Sequence, residues 1–150
     1  MAKKFVFRLE SLLNLKAHKV KEIEEAIQKI LYFRYRTEEE IQKQEAYLRT
    51  ISNGNDGHFK ALDLQAKINH KEYINAEIEK LRIQLERIAE IENIYRQRLA
   101  EAMKEEKILE KLKDKKLETY NEEVKKEETK QLDEITINKE ARKKNIENKP

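Results

Sequence analysis

Two glycines and one proline punctuate this chain, and where they stand leaves few places for it to break. Gly54 and Gly57 share one island, Ser52-Asn53-Gly54-Asn55-Asp56-Gly57, and the proline is Pro150. Roughly 50 residues before the island and roughly 90 after it carry no strong helix breaker. A chain with one break folds back once, so this pattern predicts two long helices joined at a single turn. Asp56 is placed to cap the second helix, and the glycines can supply the backbone angles of the turn.

The spacing of apolar residues says what those helices are. Before the island a 4-3 alternation runs through Leu9, Leu13, Lys16, Val20, Ile23, Ile27, Ile30, Arg34, Thr37, Ile41, Gln44, Leu48 and Ile51. Most of these are apolar and the residues between them are mostly charged or polar, which is the period of a coiled-coil seam. After the island the seam resumes at Ile74, Ile78, Leu81, Leu85 and Ile88, and continues through Glu92, Tyr95, Leu99, Ala102, Glu106 and Leu109 to Lys113, Lys116 and Tyr120. Leu112, Leu117 and Val124 suggest a slip of register late in the second helix. Between Phe59 and Lys71 the pattern is undecided.

The expected fold is all-α: one antiparallel coiled-coil hairpin over residues 1–150. It has a helix over about 5–51, a turn at 52–57, a helix over about 58–137 and a frayed tail at 138–150. At about 1.5 Å per residue the arms would measure about 68 Å and about 120 Å. Folding the chain through the middle of the island sets Ile51 near Phe59, Ile30 near Lys80 and Phe5 near Glu105. The second arm would then overhang by roughly 30 residues beyond about residue 107, on the order of 45 Å. That overhang carries Ile108, Leu109, Leu112, Leu117, Tyr120, Val124 and Leu132. An amphipathic helix with no mate is marginal in water, so its apolar stripe predicts a partner.

Composition narrows the class. Charged residues are 42% of the chain and residues of the apolar class 38%, enough for a stripe but not for a globular core. The 33 basic and 30 acidic side chains alternate closely, as in Glu122-Glu123-Val124-Lys125-Lys126, and the net charge is +3. No one-sign run of the kind that nucleic acid favours stands out, so no nucleic-acid partner is expected. The basic residues of the tail (Lys139, Arg142, Lys143, Lys144) offer at most a weak contact to an acidic surface. The absence of cysteine fits the cytosol. No signal-peptide run and no membrane span is expected.

Catalysis has no visible seat. The glycines lie in the turn and no Gly-Lys-Ser/Thr follows them, so there is no phosphate loop. His18, His58 and His70 match no metal-ligand spacing. A coiled coil encloses no cavity that would tune a carboxylate for acid–base work. The expectation is a protein that is not an enzyme, with no cofactor, metal or small-molecule substrate.

Aromatic residues mark the candidate contact surfaces. In Leu31-Tyr32-Phe33-Arg34-Tyr35, Arg34 sits on the seam, Leu31 and Phe33 flank it, and Tyr32 and Tyr35 point outward. Arg34 is expected to pair with Glu77 or Glu79. Tyr47 and Tyr73 form a second group near the turn. Outward tyrosines are favoured anchors in interfaces, though they also cover seams. Phe5, Phe7 and Leu9 either clamp the open end of the hairpin or face a partner.

Two segments carry a family resemblance. The start is Phe5-Val6-Phe7-Arg8-Leu9-Glu10-Ser11-Leu12-Leu13-Asn14-Leu15-Lys16. The late segment runs from Glu110-Lys111-Leu112-Lys113 through Lys116, Glu118 and Tyr120 to Gln131-Leu132-Asp133-Glu134-Ile135. Together they resemble the FliJ family, the small soluble component of the bacterial flagellar type III export apparatus, over nearly the whole chain. The resemblance implies a stalk-like coiled coil, similar in form to the rotary-ATPase gamma subunit. Such a protein inserts into the hexameric export ATPase, promotes assembly of its ring, and contacts the transmembrane export-gate protein and the export chaperones. It would be cytoplasmic, peripherally associated with the inner-membrane export apparatus.

On that resemblance Phe5, Phe7, Arg8 and Leu9, with Lys111, Leu112, Lys116 and Tyr120, are expected to meet the ATPase ring. Tyr47, Tyr73, Ile74, Tyr32 and Tyr35 are expected to meet the gate. The expected function is a non-enzymatic stalk and coupling factor. Two rivals remain open: a general helical-hairpin export chaperone, and a parallel dimeric coiled-coil scaffold.

Overall fold

The computed structural model describes residues 3–52 and 60–148. The glycine island beyond Ser52, the capping assigned to Asp56, and both His58 and Phe59 lie outside the described residues. Two helices make up the fold, α1 (Glu10–Ser52) and α2 (Ala61–Glu147). They pack against each other antiparallel within the one chain.

The helix ends follow local chemistry. α1 starts at Glu10, later than the expected position near Phe5. Phe5-Val6-Phe7 is poor helix-forming sequence, and the chain turns at Arg8-Leu9 before the helix begins. The Phe7 carbonyl accepts the Glu10 amide at 3.1 Å. The Lys60 carbonyl does the same for Asp63 and Leu64 at the start of α2. Glu10 and Asp63 lie in first turns, Arg49 and Lys144 in last turns, each favourable to the helix dipole. α2 runs on to Glu147, through the segment expected to fray from residue 138.

The chain divides into two compact units, each with parts of both helices. In the unit His18–Met103 the core is a single file of side chains. Val20, Ile27 and Ile41 are buried at steps of seven or fourteen, and Arg34 occupies the missing step. Ile41 clusters with Ile74 and Ile78, and Leu48, Ile51, Leu81 and Leu85 pack against them. Ile74 keeps 3% of its surface exposed. Burying a side chain of this size is worth about 1.5–3 kcal/mol, so the file holds the arms together while each helix supplies its own backbone bonds.

The register differs from the fold-back through the glycines. Arg34 meets Glu92 at 2.9 Å, not Glu77 or Glu79. Arg82 meets Glu45 at 2.9 Å. Ile51 packs against the Ile74–Ile78 cluster, so it is matched well beyond Phe59, and Ile30 well beyond Lys80. The first turns of α2 contribute little to the pairing, since Leu62, Leu64 and Ile68 are exposed. The seam starts where the 4-3 pattern becomes clean, at Ile74.

The second unit combines the described residues through Ala17 with those from Lys104. Lys16 meets Glu105 at 2.8 Å and Lys113 meets Glu10 at 2.9 Å. Phe5 rests against Tyr120, not near Glu105, with ring centroids 5.5 Å apart. Residues 107–120, expected to overhang, are therefore matched by the start of the chain. Leu109, Leu112, Lys113, Tyr120 and Val124 are half-buried, and every described residue after Val124 is exposed. The unmatched stretch of α2 begins at residue 125.

Candidate functional sites

The first candidate site lies at the chain start and α2 beyond Lys104. Residues 3–9 leave the helical path, and Phe7 turns inward to 7% exposure. The Phe5 ring lies tilted on Tyr120, whose hydroxyl donates to the Lys3 carbonyl. So the structure brings Phe5 and Tyr120 together, and Phe7 helps to clamp this end. Arg8 and Leu9 stay exposed beside the clamp. On α2, Leu112, Lys115, Lys116, Thr119, Tyr120 and Glu123 line a shallow groove. Lys111, one step round the helix, is exposed and outside that lining. Leucine, tyrosine and lysine stems on a shallow surface suit protein contact.

The second candidate site is the set of tyrosines with Ile74. Tyr47 and Tyr73 are exposed. The Tyr47 hydroxyl lies 3.1 Å from Nε2 of His70, and the two rings meet edge to face at 80°. Spacing alone reads His70 as a solvated residue; a tyrosine and a histidine on facing helices are the signal that could have paired them. Ile74 is core, held with Ile41 and Ile78, and presents no surface to a partner. Its expected gate contact follows from its neighbour Tyr73, but adjacent residues on a helix point about 100° apart.

Tyr32 and Tyr35 are exposed too. Tyr32 is engaged by Arg36, which donates to its hydroxyl at 3.0 Å and lies 5.7 Å from the ring centre. Twelve residues, or about 18 Å of helix, separate Tyr35 from Tyr47, and helical phase sets Tyr35 on the other edge of the pair. The tyrosines thus do not form one patch.

A third feature is one that the sequence pattern does not single out. Glu92, a charged exception on the α2 seam, is 6% exposed. It accepts from Arg34 at 2.9 Å across the helices, and from Nε and Nη2 of Arg96 one turn along α2. The two-pronged bond from Arg96 holds the Glu92 carboxyl below its ordinary value; the charges of Arg96 and Arg34 add to this, against the opposing effect of burial. Arg34 also bonds Glu38 at 3.2 Å, and that bond leads in raising its pKa, followed by the Glu92 charge. This cluster is an ionic layer in the seam, built to fix register, not to move protons.

The family model for the flagellar FliJ protein matches residues 5–145. No curated protein matches, and no solved structure does.

Proposed function

The chain belongs to the FliJ family, and on that premise we propose that it is a non-enzymatic stalk and coupling factor of flagellar protein export. Family membership over residues 5–145 implies the export role and carries the reading. The finer assignment rests on physical argument. α2 continues past Val124 with Leu132, Ile135, Ile137 and Ile146 all exposed. A lone helix of that kind gains from a partner. A hexameric export ATPase would receive this stretch together with Arg8, Leu9, Lys111, Leu112, Lys116 and Tyr120. Phe5 and Phe7 would serve it indirectly, by holding α2 in place. Tyr47 and Tyr73 would face the transmembrane export gate, and export chaperones would bind elsewhere on the hairpin.

The test is co-purification with the flagellar export ATPase followed by a hydrolysis assay. The intact chain is expected to raise the rate. Removing residues 125–150 is expected to abolish the rise while the paired helices stay folded. An unchanged rate with the intact chain rejects the coupling role; undiminished stimulation by the shortened chain rejects the assignment of that segment. Binding to export clients with no effect on the ATPase would favour the general chaperone.

A further inference from the structure

Folding sorts the charges that alternate in the sequence. Side chains seven residues apart share a helix face. On α1, Lys29, Arg36 and Lys43 share the edge that carries Phe33. On α2, Lys80, Arg87 and Arg98 share the edge that carries Ile91 and Ile94. The register fixed by Arg34–Glu92 and Glu45–Arg82 sets these cations across from one another in three tiers: Lys29 with Arg98, Arg36 with Arg87, Lys43 with Lys80. Acids are fewer on this edge: Glu40 is bonded by Gln44, and Glu77, one heptad before Gln84, pairs with Lys80 at 3.4 Å. The opposite edge carries Glu24, Glu38, Glu45, Glu79 and Glu86 together with the cations Lys21, Arg49, Arg82 and Arg96, of which Arg82 and Arg96 are spent on Glu45 and Glu92. One edge of the His18–Met103 unit therefore carries an excess of cations around Phe33 and Ile91 while the other is mixed, which the near-neutral total conceals.

The cationic edge is also apolar at its centre. Ile30, Phe33, Thr37, Gln84, Ile88 and Ile91 line a groove there, with Arg87 at its side. Phe33 is 60% exposed, Ile91 45% and Ile94 49%. Among the described residues, Lys29, Lys43 and Arg87 make no ion pair.

We propose that this groove docks a third helix, an amphipathic one with acidic side chains on both sides of its apolar stripe. The charge pattern selects that occupant. Cations stand on both banks, at heptad steps of about 10 Å for Lys29, Arg36 and Lys43 and for Lys80 and Arg87, with Arg98 eleven residues further on; the heptad step is the repeat of a helix lying along the groove. An apolar stripe would fill the space beside Phe33 and Ile91, and acids one heptad apart would meet the tiers. A flat anionic membrane would use protruding apolar residues without needing cations in register on two banks. This surface is built from the His18–Met103 unit, the candidate ATPase contact from residues of the other unit, and the proposal stands whether or not the chain enters a ring.

The experiment uses the full chain and a labelled synthetic helix of about 21 residues. It carries leucine at its a and d positions and glutamate at e and g, so that it repels its own copies. A second peptide has lysine in place of glutamate. Fluorescence anisotropy is expected to show saturable binding of the acidic peptide, weakened by salt, and none of the basic one. Arg36→Glu with Arg87→Glu is expected to cost about tenfold or more and to turn preference toward the basic peptide. Phe33→Ser is expected to weaken binding to a similar degree, with circular dichroism unchanged in both variants. Equal binding of the two peptides, or binding of neither, overturns the proposal. So does retention on phosphatidylserine-rich vesicles or duplex DNA that depends on Arg36 and Arg87 while the acidic peptide does not bind.

Discussion

Glu92 shows how much one seam residue can decide. A carboxylate in the apolar file would be unfavourable alone, but Arg34 and Arg96 satisfy both its oxygens. The lowered pKa ties this cluster to acid stability. The folded state holds Glu92 ionised, so the unfolded chain binds the proton more readily. The stability it contributes is complete above the ordinary carboxylate range and is lost as pH falls through that range toward the lowered folded value. Glu92→Gln is expected to melt lower than the parent at about pH 7, and to lose less stability between about pH 7 and about pH 3. Thermal melts followed by circular dichroism check this. Parallel curves for the two proteins would show that other carboxylates, not Glu92, govern the acid transition. Arg34 is charged throughout this range and adds no titration of its own.

At the scale of the helices, their existence and period were legible while their ends were not. The 4-3 spacing marks α1 and α2 because a seam must repeat to stay on one side of a helix. It does not say where a helix starts when aromatic residues continue the stripe without continuing the helix. Phe5 and Phe7 look like further seam residues, yet they pack from an irregular segment that meets Tyr120. Nor does it show where α2 loses its mate. The pairs Lys113–Glu10 and Phe5–Tyr120 place that point near Val124. Two truncations separate the cases. Deleting residues 125–150 removes only exposed side chains among those described, and is expected to change stability by no more than about 0.5 kcal/mol. Deleting residues 110–150 strips the partners from Phe5 and Glu10 and is expected to lower the melting temperature clearly. Equal losses from both deletions would mean that the stretch beyond Val124 is held by contacts of its own.

For the molecule as a whole, pairing was legible and register was not. A reflection through the glycines assumes that both arms pair from the turn outward. Leu62, Leu64 and Ile68 do not continue the seam, so pairing starts later, at Ile74. A better guide lay in the exceptions. Arg34 and Glu92 are among the polar residues that interrupt the seam, with opposite charges, and setting them face to face yields the observed match. The same register brings the scattered lysines and arginines onto one edge, which no reading of local sequence could show. Register is open to a direct chemical check, because Lys16–Glu105 and Lys113–Glu10 are ion pairs at 2.8 Å and 2.9 Å between distant parts of one chain. A zero-length carbodiimide joins an amine to a carboxylate only when they touch. Mass spectrometry of the monomer band is expected to find both links. Since the pairing is unimolecular, their yield should not change with protein concentration. A parallel dimer would instead give links confined to a dimer band and growing with concentration. A fold-back through the island would join Lys16 to an acid near Ile94, such as Glu92. Either outcome would displace the register from which the cationic groove follows.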